Sequence, residues 1–166
     1  MSRTVVVKSG LFRYSQKIFV GSHVLHADEQ GDSGGTDFGP NPYELLLAAL
    51  GACTSMTVRM YAERKQWPLK SVEVRLAHSK IYAEECATCD IKEGMLDRIE
   101  REITLFGDLS DEQRHRLLEI AERCPVHRTL VSEVQICTRL IADHPPFLSR
   151  PSEARNRENL EEFVRK

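Results

Sequence analysis

One long stretch that begins Asn-Pro-Tyr-Glu most constrains how this chain can fold. Asn41 can cap a helix, Pro42 suits the first helical position, and Glu44 completes a capping box. Apolar and small residues follow, and the next proline is Pro68. The pattern therefore predicts one long helix over residues 41–65, which ends before this proline.

Segments typical of β-strands lie on both sides of this helix. Before it, two short runs flank Gly21 and Ser22, which is a two-residue hairpin signal. A loop over residues 29–40, rich in Gly, Asp and Ser, leads into the helix. In the fifth strand the alternating residues are Ile99, Arg101, Ile103 and Leu105. The predicted strands are residues 4–8, 17–20, 23–27, 72–77, 99–105 and 134–140.

Two further helices are predicted in the second half of the chain. Ser110 and Gln113 form a capping box in front of an apolar helical face. Pro125 stops or kinks that helix, and a short helix over residues 125–132 follows it. Counting the two longer helices, the order of elements is β-β-β-α-β-β-α-β, and the fold class is α+β.

Composition indicates one compact domain. The chain has 166 residues, of which 41% are hydrophobic and 29% are charged, as is typical of a globular protein. We assign residues 1–141 to this domain. Residues 142–166 are rich in Pro, Arg, Asn and Glu, which predicts a polar surface tail with room for one exposed helix.

Charge and hydropathy exclude two classes of partner. The formal net charge is -2 and aromatic residues are not interleaved with lysines, so nucleic acid is not an expected partner. The apolar run at residues 45–53 is shorter than a bilayer span, and the amino terminus is too polar for a signal peptide. We expect a cytoplasmic protein, where five cysteines are more typical of thiols, redox pairs or metal ligands than of static disulfides.

Cys53 lies in the middle of the long helix, on a face that the sequence predicts to be buried. Burial raises the pKa of a thiol, and the middle of a helix lacks the favourable field of its amino end. Cys53 is therefore either inert core or a reactive thiol that needs a cation from another element. Its neighbours at helical spacing are Leu46, Ala49, Leu50, Thr57 and Met60.

Cys124 has a different setting, because it directly precedes Pro125. If the short helix begins at this proline, Cys124 caps it, and the amide donors of the first turn favour a thiolate. His127 and Arg128 follow and could add positive charge. A cysteine that only fills a gap at a helix end fits the same residues.

Three more cysteines have weaker signals. Cys86 and Cys89 form a C-x-x-C pair in a polar loop, and His78 upstream could add a third zinc ligand. Because no second C-x-x-C exists, we expect no metal, and a surface dithiol or a solvated loop fits these residues. Cys137 alternates with its neighbours in the last predicted strand and is interpreted as inert filler.

Two motifs together carry a family resemblance. They are GPNPYELLLAALGACTSMT at residues 39–57 and CPVHRTL at residues 124–130. With an Asn-Pro helix start about ten residues before the first cysteine, they resemble the OsmC family, which includes the organic hydroperoxide resistance proteins. The resemblance covers most of residues 1–141. It implies an intertwined homodimer in which a strongly curved antiparallel sheet wraps two long central helices.

The resemblance also implies a chemistry. Cys53 would be the thiolate that attacks an organic hydroperoxide and becomes a sulfenic acid, and Cys124 would resolve it as a disulfide that a dithiol reduces. No cofactor is implied. The apolar residues near the thiol would favour organic peroxides, because a buried methylene contributes about 0.8 kcal/mol. The expected substrate pocket consists of Leu46, Leu50, Met56 and Met60.

This chain departs from the family pattern where the thiolate is activated. Peroxidase members have a glutamate directly after Asn-Pro, paired with an arginine, whereas this chain has Tyr43 there and Glu44 one position later. One residue turns a helix by about 100 degrees, so Glu44 faces another direction than the family residue. Arg13 and Arg128 are the candidate arginines.

Two other functions fit the same residues. One is a non-enzymatic redox sensor or small-molecule-binding dimer whose pocket surrounds Cys53. The other is hydrolysis by a thiol–imidazole pair of Cys124 and His127, although no third group to orient the imidazole is evident.

Overall fold

The computed structural model describes residues 3–85 and 93–140 of the chain, which form two compact units. The first unit contains the described residues up to Pro42 and from Ile136 onward, and the second contains Tyr43–Gln135. The predicted tail at residues 142–166, and with it the predicted boundary near residue 141, lies outside the described residues.

The first unit is built on an antiparallel sheet of three short strands. The predicted hairpin is present, because Val20 pairs with His23 across the turn. A single 3₁₀ turn, Gly31–Ser33, interrupts the predicted loop. The strands are β1 (Val5–Ser9), β2 (Gln16–Val20) and β3 (His23–Ala27), in the order β1-β2-β3.

Asp28, directly after β3, organises the loop that follows. Its side chain is buried, and its carboxylate accepts hydrogen bonds from the backbone amides of Glu29, Thr36 and Phe38 and from the Thr36 hydroxyl. The Thr36 hydroxyl contributes most to lowering the pKa of Asp28, and the amides add to it while burial opposes them. This ionised carboxylate therefore holds the two ends of the loop together.

The second unit contains a long β-hairpin. Strand β4 (Leu69–Tyr82) pairs antiparallel with β5 (Met95–Gly107), and both strands extend beyond their predicted ends. The predicted alternation in β5 is confirmed, since Ile99, Arg101 and Ile103 are all half-buried between exposed residues.

Three helices complete the second unit, at positions close to those predicted. They are α1 (Pro42–Arg64), α2 (Asp111–Ala121) and α3 (Pro125–Leu130). The Ser110 capping box is confirmed, because its hydroxyl accepts from the Gln113 amide at 3.2 Å and the Gln113 side chain accepts from the Ser110 amide at 3.0 Å. The core between α1 and α2 is formed by Val58, Ala62, Leu109, Leu117 and Ala121.

Helix α1 buries a different stripe from the one predicted. Its buried residues are Leu50, Thr54, Val58 and Ala62, so Cys53 lies at the edge of the buried stripe and is half-buried. By length and hydropathy alone, α1 is long and apolar enough to cross a membrane, and 22% of the qualifying window is buried. Core helices of soluble proteins also pass this test of length and composition.

One sequence-based expectation about strands is corrected here. The strand predicted over residues 134–140 is wrong: residues 133–140, all of which the structure describes, are exposed and have no regular secondary structure. A strand needs a partner to satisfy its amides and carbonyls, and the described part of this chain pairs none with this segment. The described strands form two antiparallel sheets, and the single curved sheet of a dimer stays a prediction.

Candidate functional site: two neighbouring cysteines

Helices α1 and α3 bring Cys53 and Cys124 together. The two thiols are close enough for each to shift the pKa of the other, although 71 positions separate them in the sequence, and both are free cysteines. Cys124 is fully buried, with 0% of its surface exposed, whereas Cys53 is half-buried. A reagent from solvent can therefore reach the first thiol of the pair more easily than the second.

The chain around Pro125 explains the position of Cys124. Helix α2 ends at Ala121, and Cys124 takes an extended conformation as the N-cap of α3, with φ -56 and ψ 130. A residue before proline is held out of helical geometry, so this conformation follows from the sequence. The Cys124 sulfur accepts a hydrogen bond from the backbone amide of His127 at 3.5 Å.

The surroundings shift the two thiols in opposite directions. Burial raises the pKa of Cys53, Cys124 raises it further, and the Val126 amide and the Thr57 hydroxyl oppose this. Burial also acts to raise the pKa of Cys124, but hydrogen bonds from Cys53, the His127 amide and Thr54 outweigh it, and the net shift is downward. The negative charge of the pair is therefore favoured on the sulfur of Cys124, with Cys53 as the hydrogen-bond donor.

A network of polar side chains lies behind Cys124. Thr54 has 0% of its surface exposed, and its hydroxyl acts to lower the pKa of Cys124. Arg101 of β5 donates from Nη1 to the Thr54 hydroxyl at 3.1 Å and from Nη2 to Glu122 Oε1 at 2.7 Å. The second oxygen of Glu122 lies 3.3 Å from His127 Nε2. The guanidinium of Arg101 thus reaches the thiol pair through the hydroxyl of Thr54.

Arg101 is the functional candidate that the sequence-based analysis missed. The signal was present, because Arg101 alternates with Ile99 and Ile103 on the inward side of its strand. An arginine with only 11% of its side chain exposed, at a position where a strand buries apolar residues, needs a buried partner. The partner, Thr54, is on α1, 47 positions earlier in the chain.

The roles predicted for Glu44, Arg128 and Arg13 in activating a thiol stay predictions. Glu44 lines a groove of about 460 Å³ with Leu47 and Val74. It lies nine residues from Cys53, which places it roughly 13 Å away along α1 and on the opposite face. Arg128 is exposed on α3. Arg13 belongs to the first unit, where its guanidinium lies over the Tyr14 ring, so its proposed role stays a prediction.

The predicted pocket residues occupy different environments on α1. Leu50 is buried, whereas Leu46, Met56 and Met60 have 37%, 64% and 61% of their surface exposed. Their part in binding a substrate stays a prediction, and the exposed methionines form an apolar surface on the side of α1 away from its core.

The zinc alternative is not supported by the described residues. His78 Nε2 lies 2.9 Å from Asp97 Oδ1, and the His78 ring stacks on Tyr43 with centroids 4.4 Å apart. Within residues 3–85 and 93–140, no group of three or more metal-ligating side chains occurs. Cys86 and Cys89 lie outside the described residues.

Comparison with known proteins gives the family of this α+β chain. Residues 32–139 match the family model described as OsmC-like protein, which is more than half of the chain. The chain therefore belongs to the OsmC-like family, as the resemblance of its motifs predicted. No curated protein matches it in sequence.

Solved structures with the same fold are distant in sequence. An OsmC-like protein from Mycoplasma pneumoniae has a TM-score of 0.62 at 17% identity and covers 78% of this chain and 87% of its own. An organic hydroperoxide resistance protein OsmC from Legionella pneumophila has a TM-score of 0.56 at 21% identity, covering 77% and 89%. The organic hydroperoxide resistance protein OhrB of Bacillus subtilis has a TM-score of 0.55 at 18% identity, and the match covers 79% of this chain and 91% of that protein. At these identities the likeness shows the fold alone.

Proposed function

We propose that this protein reduces organic hydroperoxides with the thiols of Cys53 and Cys124. The proximity of a half-buried thiol and a fully buried one, each of which shifts the pKa of the other, is the observation that carries the proposal. The names of two structural relatives, organic hydroperoxide resistance proteins from Legionella pneumophila and Bacillus subtilis, support the choice of substrate class.

Exposure decides which sulfur meets the peroxide. Cys124 is sealed from solvent, so the half-buried Cys53 attacks. The sulfur of Cys124, which holds the negative charge of the resting pair, takes the proton of Cys53, so that Cys53 becomes the thiolate. This transfer is uphill, because Cys124 is the weaker base of the two. The Cys53 sulfur then bonds to the terminal oxygen of the hydroperoxide, the O–O bond breaks, and the departing alkoxide takes the proton to leave as an alcohol.

The second step forms the disulfide between Cys53 and Cys124. The sulfur of Cys124 bonds to the sulfur of the Cys53 sulfenic acid, and the hydroxide that leaves takes a proton to become water. The two sulfurs together have lost the two electrons that the peroxide gained. A dithiol reduces the disulfide by exchange and is itself oxidised to a disulfide, so the cycle requires no cofactor. Such a reductant is typical of the cytoplasm, which is the compartment we propose.

An alkyl tail of the substrate has an apolar surface to bind. Leu46, Met56 and Met60 are the partly or largely exposed apolar side chains of α1 near Cys53 in sequence, and Leu50 is buried beside them. Each methylene removed from water contributes about 0.8 kcal/mol, which favours organic hydroperoxides over hydrogen peroxide.

We also propose that the protein works as an intertwined homodimer with one curved sheet around two central helices. The exposed apolar residues that follow α3 support a second copy as partner, since Val134, Ile136 and Leu140 have 53%, 83% and 97% of their surface exposed. These apolar residues all lie at even positions, as on one face of a β-strand, but no second strand pairs with them in the described part of the chain. Exposed residues of α1 add to the apolar surface that a second copy would cover.

A single-turnover assay tests the redox function. Cys86, Cys89 and Cys137 are first replaced by serine, and one equivalent of an alkyl hydroperoxide is added to the reduced protein. We expect peptide mass spectrometry to show a disulfide between Cys53 and Cys124 and one equivalent of alcohol.

Two variants separate the roles in this assay. Cys124→Ser is expected to stop at a sulfenic acid on Cys53, trapped with a dione reagent, and Cys53→Ser to leave the peroxide unconsumed. An unmodified Cys53 in the parent protein, with the peroxide intact, would contradict the proposal.

A redox sensor is the second candidate, and the raised pKa of Cys53 favours it. The largest influences on this thiol are burial, Cys124, the Val126 amide and Thr57, and none of them is a cation. A thiol with a raised pKa reacts slowly at neutral pH. Sustained turnover with a dithiol and an organic hydroperoxide would identify the enzyme, and a disulfide that forms once and slowly would identify the sensor.

A further inference from the structure

The packing of α1 against the hairpin brings Arg101 within reach of the thiol pair. A methyl group added at Gly51 would lie 2.8 Å from Leu76 Cδ1, so α1 approaches β4 closely at this turn. Leu76 pairs directly with Arg101 in the β4–β5 ladder. Thr54 is three residues after Gly51, which is nearly one helical turn. Sheet register and helix packing thus place this guanidinium next to this hydroxyl.

The hydrogen-bond geometry gives the guanidinium a specific task. A hydroxyl has one hydrogen to donate and two lone pairs that accept. Because Arg101 Nη1 donates to the Thr54 oxygen at 3.1 Å, it occupies an acceptor site and leaves the hydroxyl hydrogen free to point elsewhere. Thr54 acts to lower the pKa of Cys124, so the Cys124 sulfur lies within the reach of this hydroxyl and can receive the hydrogen. Both Thr54 and Cys124 have 0% of their surface exposed, so water does not compete for these bonds.

We propose that Arg101 is a positioning residue for the thiol pair, which turns the Thr54 hydroxyl toward Cys124 so that it donates its hydrogen to the sulfur. Glu122 and His127 support it: Glu122 fixes the other arm of the guanidinium at 2.7 Å and is itself 3.3 Å from His127. This inference rests on the proposed redox role of the pair.

The positive charge of Arg101 alone would not stabilise the ionised sulfur of Cys124. The titratable or charged groups on the elements around Cys124 are Cys53 on α1, Arg101 on β5, Glu122 and Arg123 after α2, and His127 and Arg128 on α3, of which Arg123 and Arg128 are exposed. The carboxylate of Glu122 pairs with Arg101 and largely neutralises it at a distance. The effect of Arg101 on the sulfur therefore passes through the hydroxyl, and it disappears when the hydroxyl is removed.

The test is a thiolate titration that uses no peroxide. In the protein with Cys86, Cys89 and Cys137 replaced by serine, the ultraviolet absorbance of the thiolate is followed against pH. Loss of one hydrogen bond to an ionised sulfur raises its pKa by about one unit. We expect Arg101→Gln to move the first ionisation of the pair upward by about this amount, and Arg101→Lys to restore part of it.

Three further variants make the result specific. Thr54→Val is expected to give the same upward shift, and the double variant Arg101→Gln/Thr54→Val no further shift, because both changes remove one interaction. Arg98→Gln is the matched control, since Arg98 lies on the same strand and pairs with Glu100 on the surface at 2.7 Å. It is expected to titrate like the parent protein.

The outcomes that overturn the inference are distinct from a failure of the redox proposal. A folded Arg101→Gln variant that titrates like the parent would contradict it, and so would additive shifts in the double variant. Should Arg101→Gln not fold, Thr54→Val carries the same expectation and the same refutation. A protein that never reduces a peroxide still gives the titration, so the two proposals stand or fall separately.

Discussion

At the scale of residues, Cys53 and Cys124 show how one residue type acquires two properties from its surroundings. Both thiols are poorly solvated, but only Cys124 receives enough hydrogen bonds to ionise more readily. The sequence predicted both thiols and the N-cap position of Cys124, because a proline fixes local geometry. It did not predict the contact of Arg101 with Thr54, because packing between distant elements decides such contacts.

Asp28 carries a prediction about its loop. Asp28→Asn replaces an ionised acceptor of four hydrogen bonds, so the loop is expected to open more often. Hydrogen exchange at the amides of Thr36 and Phe38 should become faster. Asp32→Asn, at an exposed position of the same loop, is the control. Unchanged exchange in Asp28→Asn would show that the carboxylate does not hold the loop.

The same carboxylate makes the loop sensitive to acid. Its pKa is lowered on folding, mainly by the Thr36 hydroxyl, so its stabilising effect is complete above the ordinary aspartate pKa of about 3.9. The effect is lost as the pH falls through the lower pKa of the folded state. We expect the exchange rates of the parent protein to approach those of Asp28→Asn only at such acidic pH.

At the scale of elements, start signals predicted the helices well and patterns of polarity predicted the strands less well. The Ser110 capping box and Pro42 mark helix starts that the structure confirms. Strand β4 runs on through polar residues such as His78 and Lys80, which carry no alternation that a sequence reader would assign to a strand. Pairing with β5 extends β4, because the backbone hydrogen bonds of the antiparallel ladder continue to Tyr82 regardless of side-chain polarity.

Gly107 at the end of β5 gives a prediction at this scale. Its φ is +144, and a methyl group there would lie 2.2 Å from the Pro68 carbonyl oxygen, which is backbone that cannot swing away. Gly107→Ala is therefore expected to lower the free energy of unfolding by more than about 2 kcal/mol, measured by denaturant unfolding.

Gly94 is a matched control for this change. Its φ is also positive, at +94, but among residues 3–85 and 93–140 no atom lies within 4 Å of a methyl group placed there. Gly94→Ala is expected to cost about 1 kcal/mol from backbone strain alone. Equal losses in the two variants would show that the approach of Pro68 to Gly107 contributes nothing.

At the scale of the whole molecule, the family-model match and the solved relatives give the fold, while the assembly stays a proposal. The alternation at residues 134–140 predicted a strand, yet these residues are exposed and unpaired in the single chain. Alternation of apolar and polar residues predicts that a segment can form a strand, but it does not predict whether the pairing strand belongs to the same chain or to a second copy. This one error in the order of elements is what the proposed dimer would explain.

Ile136 tests the dimer. With 83% of its surface exposed in the single chain, it would be covered by a second copy, so Ile136→Glu would bury an unpaired charge at the interface. Light scattering with size-exclusion chromatography is expected to give a dimer for the parent protein and a monomer for this variant. Gln135→Glu, one residue earlier and on the other side of the alternation, should stay dimeric. A parent protein that elutes as a monomer at all concentrations would contradict the assembly.

The unequal exposure of the two thiols has a consequence for how an oxidised pair is reopened. An incoming reductant can approach only the sulfur of Cys53, since Cys124 is sealed beneath it. The mixed intermediate would then always form on Cys53, and Cys124 would depart as the leaving group, a role that its lowered pKa favours. Regeneration would be one-sided, and a reductant trapped in mid-exchange would be found on Cys53 alone.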